Sequence, residues 1–135
     1  MTRRRVFFAL TALWLLFIWG HSLLPASVSR TESERWLALL QSWMPWLNDY
    51  LIRKAAHFAE FAVLGALLFL AADTRFGLWF PPCFGVLAAL LDETVQLFAA
   101  GRSGQVSDVW LDLTGFLTGW ILIALISLIL KKRRT

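Results

Sequence analysis

Arg53-Lys54-Ala55-Ala56-His57-Phe58-Ala59-Glu60 opens a hydrophobic run long enough to enter a bilayer, yet it carries four ionisable side chains. On a helix, Arg53, His57 and Glu60 fall at i, i+4 and i+7, which is one face. Charged groups at membrane depth cost about 2.5–3.5 kcal/mol each on insertion scales, so they face a protein interior or a water-filled cavity and mark a functional site. Two further polar sets answer this one: Asp92-Glu93-Thr94-Val95-Gln96, and Asp108 with Asp112.

Working outward, four apolar runs are predicted as transmembrane helices, at about residues 6–24, 53–72, 78–98 and 108–130. Each has about the 20 residues needed to cross roughly 30 Å of hydrocarbon. The fold class expected is an all-α integral membrane four-helix bundle, a single domain over residues 1–135. The first run follows Arg3-Arg4-Arg5 as a signal peptide would, but it exceeds a usual h-region and is read as a retained helix. Pro25 stops it. Between the first two runs, Thr31 and Glu34 fit a capping box. Trp36, Leu39, Leu40, Trp43 and Leu47 then recur at helical spacing. A short amphipathic helix is expected over about 32–44, either lying in the interface on its Trp residues or packed on protein as a lid. A tight turn is expected at 73–77, a polar loop at 99–107, and Ser107 or Asp108 as the cap of the last helix.

Hydrophobic residues make up 59% and charged residues 16% of the chain, which separates it from ordinary soluble domains. The net charge of +4 does not point to nucleic acid, because the basic residues cluster at the two ends, each against an apolar run. That is the pattern of a topology signal. Four crossings then place both termini in the cytoplasm of a multi-pass protein. The lone Cys83 excludes an internal disulfide, and its apolar setting predicts a packed or lipid-facing thiol.

With that topology, residues distant in sequence reach one level, the extracytoplasmic third of the bundle. His21 ends the first helix there. Arg53, Lys54, His57 and Glu60 begin the second, Asp92, Glu93 and Gln96 lie in the third, and Arg102 follows in the outer loop. Asp108 and Asp112 open the fourth helix on the same face as Gly115 and Gly119, a GxxxG step that lets a neighbouring helix approach closely. His57, Glu60, Asp92 and Glu93 are the candidate acid–base residues. Arg53, Lys54, Gln96, Arg102, Asp108, Asp112 and His21 are the candidate binding residues, with Arg53, Lys54 and Arg102 suited to a phosphate. His57, Glu60, Asp92, Glu93 and Asp112 also supply nitrogen and oxygen ligands on facing helices. A divalent metal is the one cofactor they could hold, although internal salt bridges account for the same residues.

Arg53-Lys54-x-x-His57-x-x-Glu60, Asp92-Glu93-x-x-Gln96, Gly101-Arg102 and Asp108-x-x-x-Asp112-x-x-Gly115-x-x-x-Gly119 together resemble the VanZ-like family of bacterial membrane proteins. The segment from Asp92 to Gly119 carries the most specific part. Arg53 departs from the pattern, which more often has an acid before the lysine. The family takes its name from a protein that raises resistance to teicoplanin and related lipoglycopeptides, antibiotics that bind cell-wall precursors outside the membrane. The resemblance therefore implies a role at the outer face of the cell envelope. Two functions are expected from it: acting on or shielding a lipid-linked envelope component, or a hydrolase or transferase working on a phospholipid or polyprenyl phosphate. Membrane lipids or lipid-linked precursors are the expected partners, with no nucleic acid, and the modest core of four short helices leaves room for a homodimer.

Overall fold

The computed structural model describes residues 2–72 and 80–133. It is all-α, with α1 (Arg3–Ser22), α2 (Ala26–Leu40), α3 (Asp49–Ala71), α4 (Phe80–Gln96) and α5 (Val106–Lys132), and no strand among the described residues. Three helices are long and apolar enough to cross a membrane: α1, α3 and α5. The described part of α4 counts 17 residues. The turn expected at 73–77 and the expected start of this helix at 78 lie outside the described residues.

Four helix starts differ from those read in the sequence: α1 begins at Arg3 rather than about residue 6, and the other three differ each for a local reason. The capping box at Thr31 does not form. α2 begins six residues earlier, with Pro25 in the N-cap position, so Thr31 is already inside the helix and its hydroxyl donates back to the Ser27 carbonyl at 3.0 Å. A proline loses nothing at a helix start, where its missing N–H has no partner to find. α3 begins at Asp49 rather than Arg53, because Asn48 caps it: its side chain accepts from the Leu51 amide at 2.9 Å. Asp49 then sits at the positive end of the helix dipole, where an acid is stabilised. Asn48→Ala should cost about 1 kcal/mol of stability, measurable as a lower thermal midpoint in detergent. α5 starts at Val106 behind Gln105, so neither Ser107 nor Asp108 is its cap. At the other end of the loop, α4 stops at Gln96. There Leu97, Phe98 and Ala99 turn back onto Thr94, Val95 and Gln96 in tight i→i+3 bonds.

Helices α3 and α5 run in the same direction and form the closest pair. Their seam is made by glycines. A Cβ at Gly115 would strike the Phe58 carbonyl, one at Gly119 the Ala62 carbonyl, and one at Gly65 the Phe116 carbonyl. The two backbones touch directly, so α3 and α5 hold their polar ends in fixed register. α1 runs antiparallel to α3. Trp14 Nε1 donates to the Glu60 carbonyl at 2.8 Å, and Arg4 Nε donates to the Ala71 carbonyl at 3.1 Å, at the far end of α3. α4 packs on α5. Ile18, Phe61, Leu64, Leu68, Ala88, Ala89 and Phe116 fill the apolar centre between them.

α2 rests on α3 by an unexpected face. Ser29 and Ser33 are the buried residues, while Trp36 and Leu39 of the apolar stripe are exposed. Trp36 and Leu39 both line an open space between α2 and α3 rather than a packed contact. Cys83 is exposed on α4.

Candidate functional site

The glycine seam of α3 and α5 ends in polar side chains, one turn after another. One turn before Phe58 on α3, and two before Gly115 on α5, Lys54 pairs with Asp108. Below that pair, His57 faces two carboxylates from different helices. His57 Nδ1 lies 3.9 Å from Asp92 Oδ2 on α4 and 3.9 Å from Asp112 Oδ1 on α5. Both distances exceed a hydrogen bond. Asp92 and Asp112 have no exposed surface at all. Toward α1, His21 Nδ1 and Glu60 Oε1 are hydrogen-bonded at 2.9 Å, and the other ring nitrogen of His21 reaches Glu32 on α2 at 3.1 Å. One imidazole thus links α1, α2 and α3.

The loop after α4 is tied down on both sides. Gln96 Nε2 donates to Asp92 and to Glu93, each at 3.0 Å, and Glu93 Oε2 accepts the Gln105 amide at 2.6 Å. The Ala26 amide donates to the Ala100 carbonyl at 3.0 Å, which joins the loop to the start of α2. Gly101 has φ +77°, a left-handed conformation that glycine takes without strain. It turns the chain so that Arg102 lines the space between α2 and α3. Arg102 Nη2 is buried and has no hydrogen-bond partner among the described residues. Burial pulls the Arg102 guanidinium below its ordinary pKa, yet an arginine stays charged throughout the physiological range.

Two cavities meet over this cluster. The larger, about 510 Å³, lies between α2 and α3; Trp36, Leu39, Ile52 and Ala56 give it an apolar wall, and His21, Glu32 and Glu60 lie on its polar side. The smaller, about 200 Å³, is lined by Arg30, Arg53, Lys54, Arg102, Gln96 and Asp108, among others. Ser29, Arg53 and His57 line both. A basic cavity that shares three lining residues with a more apolar one suits a molecule with a charged head and a greasy body.

The candidate residues separate into groups. His57, Asp92 and Asp112 converge, and they are the group whose ligand atoms all lie within 4.8 Å of one another. Glu60 and Glu93 are not part of it: Glu60 turns to His21, and Glu93 to Gln96 and the Gln105 amide. Arg53 pairs with Asp49, one turn earlier on its own helix, and Lys54 with Asp108. Of the three cations suited to a phosphate, Arg102 keeps a guanidinium nitrogen uncommitted. Four residues of the site were not singled out in the sequence. Arg30 lines the basic cavity, Glu32 holds His21, and Ser33 donates to Asp49, which in turn holds Arg53. All four depend on where α2 and α3 begin. Helix starts at Pro25 and Asn48, both readable as start signals, place them beside the cavities or the residues that line them.

A family model described as VanZ/LLP1 matches residues 7–128. No curated protein and no solved structure matches the chain.

Proposed function

The chain belongs to the VanZ/LLP1 family, and we propose that it is a four-span inner-membrane protein of a single domain that acts on or shields a lipid-linked component of the cell envelope. In this reading α4 is the fourth span, both termini are cytoplasmic, and the polar ends of the helices form an extracytoplasmic site. The exposed Trp43 and Trp46, which follow α2, sit among the headgroups, where indole rings are favoured. Lowered susceptibility to teicoplanin-type lipoglycopeptides is the cellular consequence proposed for this activity.

The observation that carries the reading is the pair of adjoining cavities with a shared wall. A phosphate fits the basic one, with Arg102 as its main partner and Arg30, Arg53 and Lys54 around it. A prenyl or acyl chain fits against Trp36, Leu39, Ile52 and Ala56. His57, on both walls, is placed beside the junction of head and chain. The test is binding of a polyprenyl phosphate to the full-length protein in nanodiscs. Losing one charge-assisted contact should weaken binding by roughly 10- to 100-fold in Arg102→Ala, with the thermal midpoint unchanged. Equal affinity for the polyprenyl phosphate and its uncharged alcohol, or no loss in Arg102→Ala, would remove the basis for the reading. In cells expressing the protein, Arg102→Ala should also abolish any gain in teicoplanin tolerance.

A further inference from the structure

We propose that His57, Asp92 and Asp112 form a binding site for one divalent transition-metal ion, tying α3, α4 and α5 together behind the two cavities. Two carboxylates with no exposed surface lie around one imidazole. Asp112 has neither oxygen hydrogen-bonded, Asp92 has Oδ1 without a partner, and His57 Nδ1 is likewise buried and unpartnered, all among the described residues. A buried carboxylate left without partners costs several kcal/mol or more, so some positive charge or proton must answer it.

No neighbouring cation pairs with them directly. Lys54 is held by Asp108, Arg53 by Asp49, and His21 by Glu60 and Glu32. Arg102 feels the charge of Asp92 but makes no ion pair with it among the described residues. Among the described residues, His57 is the basic side chain within ion-pair distance of Asp92 and Asp112. A dication supplies the charge that two carboxylates require, and the neutral imidazole adds a third ligand.

The geometry also fits. The three ligand atoms lie within 4.8 Å of one another, and the two distances from His57 Nδ1 are 3.9 Å. Tetrahedral ligands at bond lengths of about 2.1 Å stand about 3.4 Å apart, which small side-chain rotations reach. One nitrogen and two oxygens favour zinc or manganese over calcium, which takes six to eight oxygens. Three protein ligands leave a further coordination position, as in metal sites that carry a water.

Binding at Nδ1 has a consequence for the cavities. It forces the proton of the neutral ring onto Nε2, making His57 a fixed hydrogen-bond donor on the walls it lines. The metal thereby sets the polarity of His57 toward an anionic headgroup. The site itself does not depend on the identity of that ligand.

The experiment is metal analysis of the full-length protein purified in detergent without chelator, followed by titration of chelator-stripped protein with Zn²⁺, Mn²⁺ and Mg²⁺. About one zinc or manganese per chain is expected, and re-addition should raise the thermal midpoint. Asp112→Asn and His57→Gln, which keep side-chain volume, should each lower affinity at least about tenfold, as loss of a metal partner does. Glu34→Gln, an exposed change on α2, should leave it unaltered. A stripped protein that binds none of the ions, or equal affinity in wild type, Asp112→Asn and His57→Gln, would overturn the proposal. In that event the carboxylates are answered by protons instead. Polyprenyl phosphate binding measured on the same stripped protein reads the lipid reading separately, because Arg102 does not belong to the triad.

Discussion

Gly119→Leu is expected to abolish the folded protein. A Cβ at Gly119 would run into the Ala62 carbonyl oxygen on α3, an atom fixed by its own helix and unable to turn aside. The two helices would have to separate, and Gly115 against Phe58 and Gly65 against Phe116 would lose contact with them. Transmembrane helices have no hydrophobic drive to associate, so close backbone packing supplies much of their affinity. Overpacking costs about 1–3 kcal/mol in ordinary cores and more where backbone is struck. The Leu variant should therefore yield no monodisperse peak on size exclusion, and Gly119→Ala a clearly lower thermal midpoint. Gly20 provides the contrast. Nothing lies within 4 Å of a Cβ there, and Gly20→Ala should stabilise α1 by about 0.5–1 kcal/mol.

The second large effect is expected at the pair across the top of the same seam. Lys54→Met leaves Asp108 without its cation in a position where each side chain is about one-fifth exposed (19% and 20%). Removing one partner of a fully buried pair costs about 3–5 kcal/mol, and partial exposure reduces this to about 2 kcal/mol. Asp108→Leu alone should cost a similar amount by stranding Lys54. The double variant Lys54→Met/Asp108→Leu removes both charges and should recover most of the loss, because well-packed apolar residues replace buried ion pairs at little cost. Thermal unfolding of the four proteins in detergent tests this. Additive losses in the double variant would show that the two side chains stabilise the fold separately.

Much of this arrangement is legible in the sequence because bilayers impose few choices. The length of the apolar runs marks α1, α3 and α5, and the Gly115–Gly119 step points to the tight seam. Gly65 was not legible, since a single glycine in a membrane helix has no spacing to mark it. It becomes meaningful only beside Phe116. The segment between α1 and α3 misled for the opposite reason. Thr31 and Glu34 have the spacing of a cap, yet a helix already under way from Ala26 makes that spacing irrelevant. Asn48 and Asp49 carry a better start signal, hidden behind Pro45 and the tryptophans. The site divides in the same way. That acids and histidines would gather at one end follows from topology. Which acid faces which histidine depends on helix rotation, so Glu60 turning to His21 while Asp92 and Asp112 turn to His57 required coordinates.

The bond from the Ala26 amide to the Ala100 carbonyl joins two segments that sequence keeps far apart. A methyl-sized group at Gly101 would already touch the Ala26 side chain at 3.3 Å, so the joint is snug as well as bonded. Arg102 is thus mechanically yoked to the amino-terminal end of α2. A substitution that shifts the start of α2 should therefore shift the Arg102 segment with it.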